Sequence, residues 1–163
     1  MIPVSMSRKD QSFKQLVDYM SSEKSDRKFD IHQNYFSRDS DGIVNAFKNN
    51  VTLLRKRSDW NLFYHEIISI NLEKEVDRKH AKECLREIAL EYIQNRCSQN
   101  LVYGCIHEDH EEHLHYHLMI SANALGESKR HYLTKAEFAQ VKRDVEGFTL
   151  ERCLLYTSDA ADE

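Results

Sequence analysis

Within HEDHEEHLHYHLMISAN, residues 107–123, His115 and His117 stand two residues apart among Leu114, Tyr116, Leu118 and Ile120. On a β-strand successive side chains leave opposite faces, so the two histidines share one face and the apolar set takes the other. The stretch 101–107 alternates in the same way, with Tyr103, Cys105 and His107 against Val102, Gly104 and Ile106. The acidic connection 108–113 is short enough for an antiparallel hairpin, which brings His107 beside the pair. Three neutral imidazoles converging there would hold a divalent cation and leave coordination positions open for water or a phosphate oxygen. That is Lewis-acid chemistry, whereas a structural site would close itself with four protein ligands. His110 and His113 lie in or at the edge of the loop, where solvation is the default, and stay outside the ligand set. Glu108 or Asp109 could accept the second ring N–H of a ligand histidine or simply face water.

The elements that must position this face can be read from periodicity. Phe13, Leu16, Val17 and Met20 fall at i, i+3, i+4 and i+7, the stripe of an amphipathic helix over 12–20. Tyr19 projects roughly 110° from the centre of that stripe, which leaves it able to face a cleft. A short strand is expected over 29–36, and a second helix opens at Asp39, Ser40 and Asp41 and ends at the basic cluster Arg55, Lys56, Arg57. From Trp60 to Asn71 the aromatic and β-branched period of two predicts a strand with Asn61, Phe63, His65, Ile67 and Ser69 on one face. His65 on that face could orient a phosphate or sit in the core. A long helix follows over 77–97 with Ala81, Leu85, Ile88 and Tyr92 inward. Beyond the hairpin, Thr134 and Glu137 form a capping-box pair that opens a last helix, with Gly147 expected to stop it.

A chain of 163 residues with 40% hydrophobic content suits one domain with a substantial core. One proline, four glycines and 31% charged residues exclude a disordered or collagen-like composition. Neither an apolar leader nor a membrane-length apolar run is present, so a cytoplasmic protein that does not engage membrane is expected. Cys84, Cys97, Cys105 and Cys153 match no CxxC or disulfide spacing and read as free thiols. A net charge of −4 argues mildly against nucleic acid. The last eleven residues, CLLYTSDAADE, look like a translated library adapter; dropping their three acidic residues moves the charge to −1 and removes most of that objection. The expected division is a domain over 1–152, incomplete at its C-terminus, and a non-native tail over 153–163. Lys9, Lys14, Lys48, Arg55, Lys56, Arg57, Lys129, Arg130, Lys142 and Arg143 could track a phosphate backbone, although most of them read as solvated surface.

Three patches together resemble the relaxases, the mobilization nucleases of the HUH endonuclease superfamily. FKQLVDYMSSEK resembles the first family motif, YHEIISINLE the second, and HEDHEEHLHYHLMISAN the metal-binding third, in the same order and spacing. The resemblance implies that Tyr19 is the nucleophile that joins a DNA 5′ phosphate and frees a 3′ hydroxyl. It implies that His107, His115 and His117 hold Mg²⁺ or Mn²⁺, with Asp109 behind them and Ser69 touching DNA near the nick. It further implies an α+β fold, a central antiparallel sheet of about five strands with helices packed mainly on one face. The function implied is site- and strand-specific nicking and joining of single-stranded DNA at a transfer origin, with accessory relaxosome proteins and a coupling protein as partners. A rolling-circle replication initiator or transposase of the same superfamily, or a metal-binding domain without catalysis, are the competing readings. The tyrosine standing ahead of the histidines favours the relaxase.

Overall fold

The protein is described here by a computed structural model that covers residues 4–8, 12–55, 61–72, 77–108 and 112–159, with side chains over 12–55, 61–72, 77–108 and 112–152. The elements run β1 (Val4–Arg8), α1 (Phe13–Met20), β2 (Ile31–Gln33), α2 (Ser40–Thr52), β3 (Phe63–Asn71), α3 (Arg78–Cys97), β4 (Asn100–His107), β5 (His113–Ala124) and α4 (Lys135–Asp159). The strands form one antiparallel sheet in the order β1-β3-β5-β4-β2. The hairpin partners β4 and β5 therefore lie side by side, with β3 against the other edge of β5. This is the expected five-stranded antiparallel sheet.

Both faces of the sheet are apolar enough to need covering, and the helices divide between them. On the face of Phe63 and His65, Phe13 of α1 packs on Phe63 with ring centroids 4.7 Å apart, and Phe47 of α2 joins at 6.2 Å from Phe13. On the opposite face, Tyr92 of α3 donates to the fully buried Glu66 carboxylate at 2.7 Å, and Arg96 reaches the same carboxylate at 3.3 Å. Helix α4 packs on α3 and buries Val141 and Val145. The expectation of helices mainly on one face is thus corrected to two helices on each. The physical reason is that Tyr103, Met119 and Phe63 are as buried on the histidine face as Leu118 and Tyr116 are on the other.

Local chemistry sets several ends as expected. Asp39 caps α2 by accepting from the Gly42 N–H at 2.9 Å. Thr134 and Glu137 bond reciprocally at 2.8 and 3.2 Å before α4. Two ends differ. The strand expected over 29–36 shrinks to Ile31–Gln33, because a 3₁₀ turn over Arg27–Phe29 precedes it and Asn34, at φ 63°, breaks it. Gly147 does not stop α4, which continues to Asp159. A glycine ends a helix by turning left-handed, and Gly126 is the glycine with positive φ among the described residues. Strand β3 begins at Phe63; Trp60 lies outside the described residues, as do Lys9, Lys56 and Arg57. Cys97 and Cys105 are free thiols. Among the described residues no helix is long and apolar enough to cross a membrane.

Candidate active site

The β4/β5 register sets His107 directly opposite His115 and Cys105 opposite His117. The β3/β5 register sets Ser69 opposite His115 and Ile67 opposite His117. His107, His115, His117, His65 and Ser69 therefore all lie on one face of three adjacent strands. This is the face that α1 and α2 cover.

Helix α1 ends over the histidines because its last carbonyl is tied down. The Met20 carbonyl accepts from His107 Nε2 at 2.9 Å and from the Cys105 thiol at 2.9 Å. The chain beyond the helix also runs against β4, through Asp26 N–H to the Ile106 carbonyl and Glu108 N–H to the Lys24 carbonyl. With Phe13, Leu16, Val17 and Met20 buried, Tyr19 projects from the side of the stripe, 48% exposed, and its ring meets two histidines edge-on. The centroid separations are 5.3 Å to His107 and 5.5 Å to His117. Tyr19 also lines a cleft of about 460 Å³ together with Gln15, Leu16, His65, Ile67 and His117.

The histidines are not equivalent. His107 and His117 are buried with ring centroids 4.3 Å apart, while His115 is half-buried and stands 6.5 Å from His117. His65 is buried, and its Nε2 lies 3.0 Å from His117 Nδ1, with the two rings stacked at 28°. His113 Nδ1 lies 2.9 Å from Asn71 Oδ1 at the strand end. Ser69 is half-buried beside His115 and does not line the Tyr19 cleft. Asp109 lies outside the described residues, as does His110. Glu108 turns away from the histidines. Its carboxylate takes Arg78 at 3.1 Å and Lys82 at 2.9 Å, which ties the base of the hairpin loop to α3.

The residues present suit a divalent cation in chemistry, although their side chains are not drawn together as one cluster. Among the described residues no group of three or more His, Cys, Asp or Glu side chains is arranged to hold a metal ion. The Met20 carbonyl can only accept, so His107 Nε2 carries the proton and Nδ1 is left with a lone pair. That Nδ1 is buried and has no hydrogen-bond partner among the described residues. A buried imidazole nitrogen with its other nitrogen pinned to a carbonyl is prepared for a cation.

Comparison with known families and structures assigns the family and the fold. The family model described as Relaxase: MobA/VirD2-like, nuclease domain matches residues 19–152. Comparison with the curated proteins gives no match. Among solved structures, the fold is similar to the MobM relaxase domain (MOBV; Mob_Pre), crystallised Mn-bound with 22 nucleotides of plasmid pMV158 oriT DNA. The TM-score is 0.63 at 14% identity, over 93% of this chain and 86% of that one. With the family model spanning most of its length, from Tyr19 through the histidine hairpin and into α4, this chain belongs to the MobA/VirD2-like relaxase nuclease-domain family.

Proposed function

We propose that the protein nicks and rejoins one DNA strand at the transfer origin of a plasmid or mobile element, with Tyr19 as the nucleophile. The observation that carries this reading is the packing of the Tyr19 ring on both His107 and His117, at the mouth of an open cleft. In the reaction the phenolic oxygen attacks the scissile phosphorus in line. The bond from phosphorus to the 3′ oxygen breaks, the phenolic proton is lost and the departing 3′ oxygen takes one up. The 5′ phosphate stays on Tyr19, and attack by a 3′ hydroxyl reverses the step.

A phenol is a weak nucleophile until its proton is lost, so it needs help from nearby charge. His107, His115 and His117 would hold the divalent cation, Mg²⁺ or Mn²⁺, which when bound polarises the scissile phosphate and offsets charge building on its oxygens. The Met20 carbonyl and His65 would fix the tautomers of His107 and His117. Leu16 and Ile67 give the cleft an apolar floor for a base or sugar flanking the nick. Ser69, facing the same side, would contact the strand nearby, and Asp109 would stand behind the ligands. The Mn-bound, DNA-bound relative of similar fold supports the cation and the substrate class. Such a reaction would take place in the cytoplasm, with accessory relaxosome proteins and a coupling protein as partners.

The test incubates the protein with candidate origin oligonucleotides and Mn²⁺ and looks for a covalent adduct on a denaturing gel. Wild type gives a shifted band and Tyr19→Phe does not. No adduct with any origin, in a protein that binds metal, would overturn the nickase reading.

A further inference from the structure

At the end of the sheet remote from Tyr19, a second cleft of about 410 Å³ opens between the C-terminal end of α3 and the segment joining β5 to α4. Arg96, Lys129, Arg130 and His131 line it, with Glu127 as its one acidic residue and Leu133 as an apolar wall. Arg96 is 5% exposed, held over the Tyr64 ring at 5.3 Å and bonded to Glu66 through Nη2 alone. Its Nε and Nη1 are buried and have no hydrogen-bond partner among the described residues. A guanidinium carries five N–H donors, and leaving several unmet out of water is costly unless an anion or solvent answers them. Arg130 lies over the exposed Tyr132 ring at 5.4 Å, which fixes a second cation at the rim. His131 stays neutral at pH 7, because burial and the nearby Arg96 hold its pKa below the usual range, so the excess positive charge comes from arginine and lysine.

We propose that this cleft binds a phosphate of the DNA backbone at a distance from the nick, a phosphodiester anchor separate from the Tyr19 site. The proposal rests on the reading of the protein as DNA-acting. Along β5 the cleft begins at Ala124 and the Tyr19 site lies beside His117 on the other face of the sheet, so the two are at least about 24 Å apart at roughly 3.4 Å per residue. A strand at duplex spacing, one phosphate per ~3.4 Å, needs at least about seven phosphates to bridge that distance, and an extended single strand needs fewer. Lys129 and Arg130 thus bear on long DNA and not on a few nucleotides around the nick. Arg96, its charge answered by Glu66, lines the cleft with N–H donors that have no partner among the described residues.

The experiment measures binding of mixed-sequence single-stranded oligonucleotides, about three and about twenty nucleotides long, the short one unable to bridge the two sites even when extended. It compares wild type with the double variant Lys129→Glu/Arg130→Glu, both of which replace exposed or rim residues, with thermal melts to confirm folding. The variant is expected to lose ten-fold or more in affinity for the long oligonucleotide and little for the short one. Its log–log salt dependence for the long one becomes shallower by about 1.4, two contacts at ~0.7 each. Equal losses at both lengths, or an unchanged long-strand affinity, would overturn the anchor. A parallel arm titrates inorganic phosphate at constant ionic strength. A rise in Tm that the variant loses, without any length dependence in DNA binding, assigns the cleft to free phosphate and overturns the DNA source. Covalent-adduct formation is scored separately on the wild type and on the Lys129→Glu/Arg130→Glu variant, so failure of the nicking reaction and failure of the anchor are read separately.

Discussion

Replacing His65 with alanine probes how the sheet supports the candidate metal ligands without touching one of them. His65 is buried, and its Nε2 sits 3.0 Å from Nδ1 of His117, itself only 5% exposed. Removing it takes one hydrogen-bond partner from a buried imidazole. A neutral bond contributes about 0.5–1.5 kcal/mol net, and stranding the buried group raises the loss to about 1–3 kcal/mol. At 1.4 kcal/mol per decade, the affinity for Mn²⁺ should fall by roughly ten- to a hundred-fold, the range found when an outer partner of a metal-binding histidine is removed. Isothermal titration with Mn²⁺ on protein confirmed as folded by its melting curve reads this directly. His65→Gln, which returns an acceptor oxygen for the His117 N–H, should recover part of the loss. A Kd for Mn²⁺ in His65→Ala within about two-fold of wild type would refute the argument, since a real support cannot vanish without a loss near the range stated. So would equal losses in the alanine and glutamine variants.

Two further outcomes test the fold around the site. Asp30 is 6% exposed and burial lifts its carboxyl to about 6, against an ordinary value of 3.8, while Arg27 partly opposes the rise. A group raised in the folded state costs stability as pH climbs through that interval, on the order of 3 kcal/mol once ionised. Asp30→Asn should therefore raise Tm most near pH 8, with the gain fading toward pH 4; a gain equally large at pH 4 would contradict it. At Gly104 an added Cβ would meet Leu118 Cδ2 at 2.9 Å, Tyr116 Cε1 at 3.1 Å and Ile31 Cβ at 3.2 Å, all in the core. Gly104→Ala should lower stability by about 1–3 kcal/mol in urea unfolding, as overpacked cores do, and unchanged stability would show that β2 gives way freely.

Periodicity alone determined much of the site. The HxH spacing set His115 and His117 on one face, the hairpin placed His107 across from His115, and the α1 stripe buried Phe13, Leu16, Val17 and Met20 while leaving Tyr19 at its side. Each of these follows from the few residues around it, because side-chain direction in a strand or helix repeats over two or 3.6 residues. Tertiary structure decided what lies between distant segments. Strand β1 was not assigned from its five residues, since its place comes from pairing with β3 some sixty positions away. The docking of Met20 on His107 spans 87 positions, and the His65–His117 contact spans 52. Neither leaves a local pattern to read. Both arise because three strands meet in one register under α1, and that register is set by burying both faces of the sheet at once. Local spacing could offer the tyrosine and the histidines separately, and only the packed sheet brings the Tyr19 ring onto two of them.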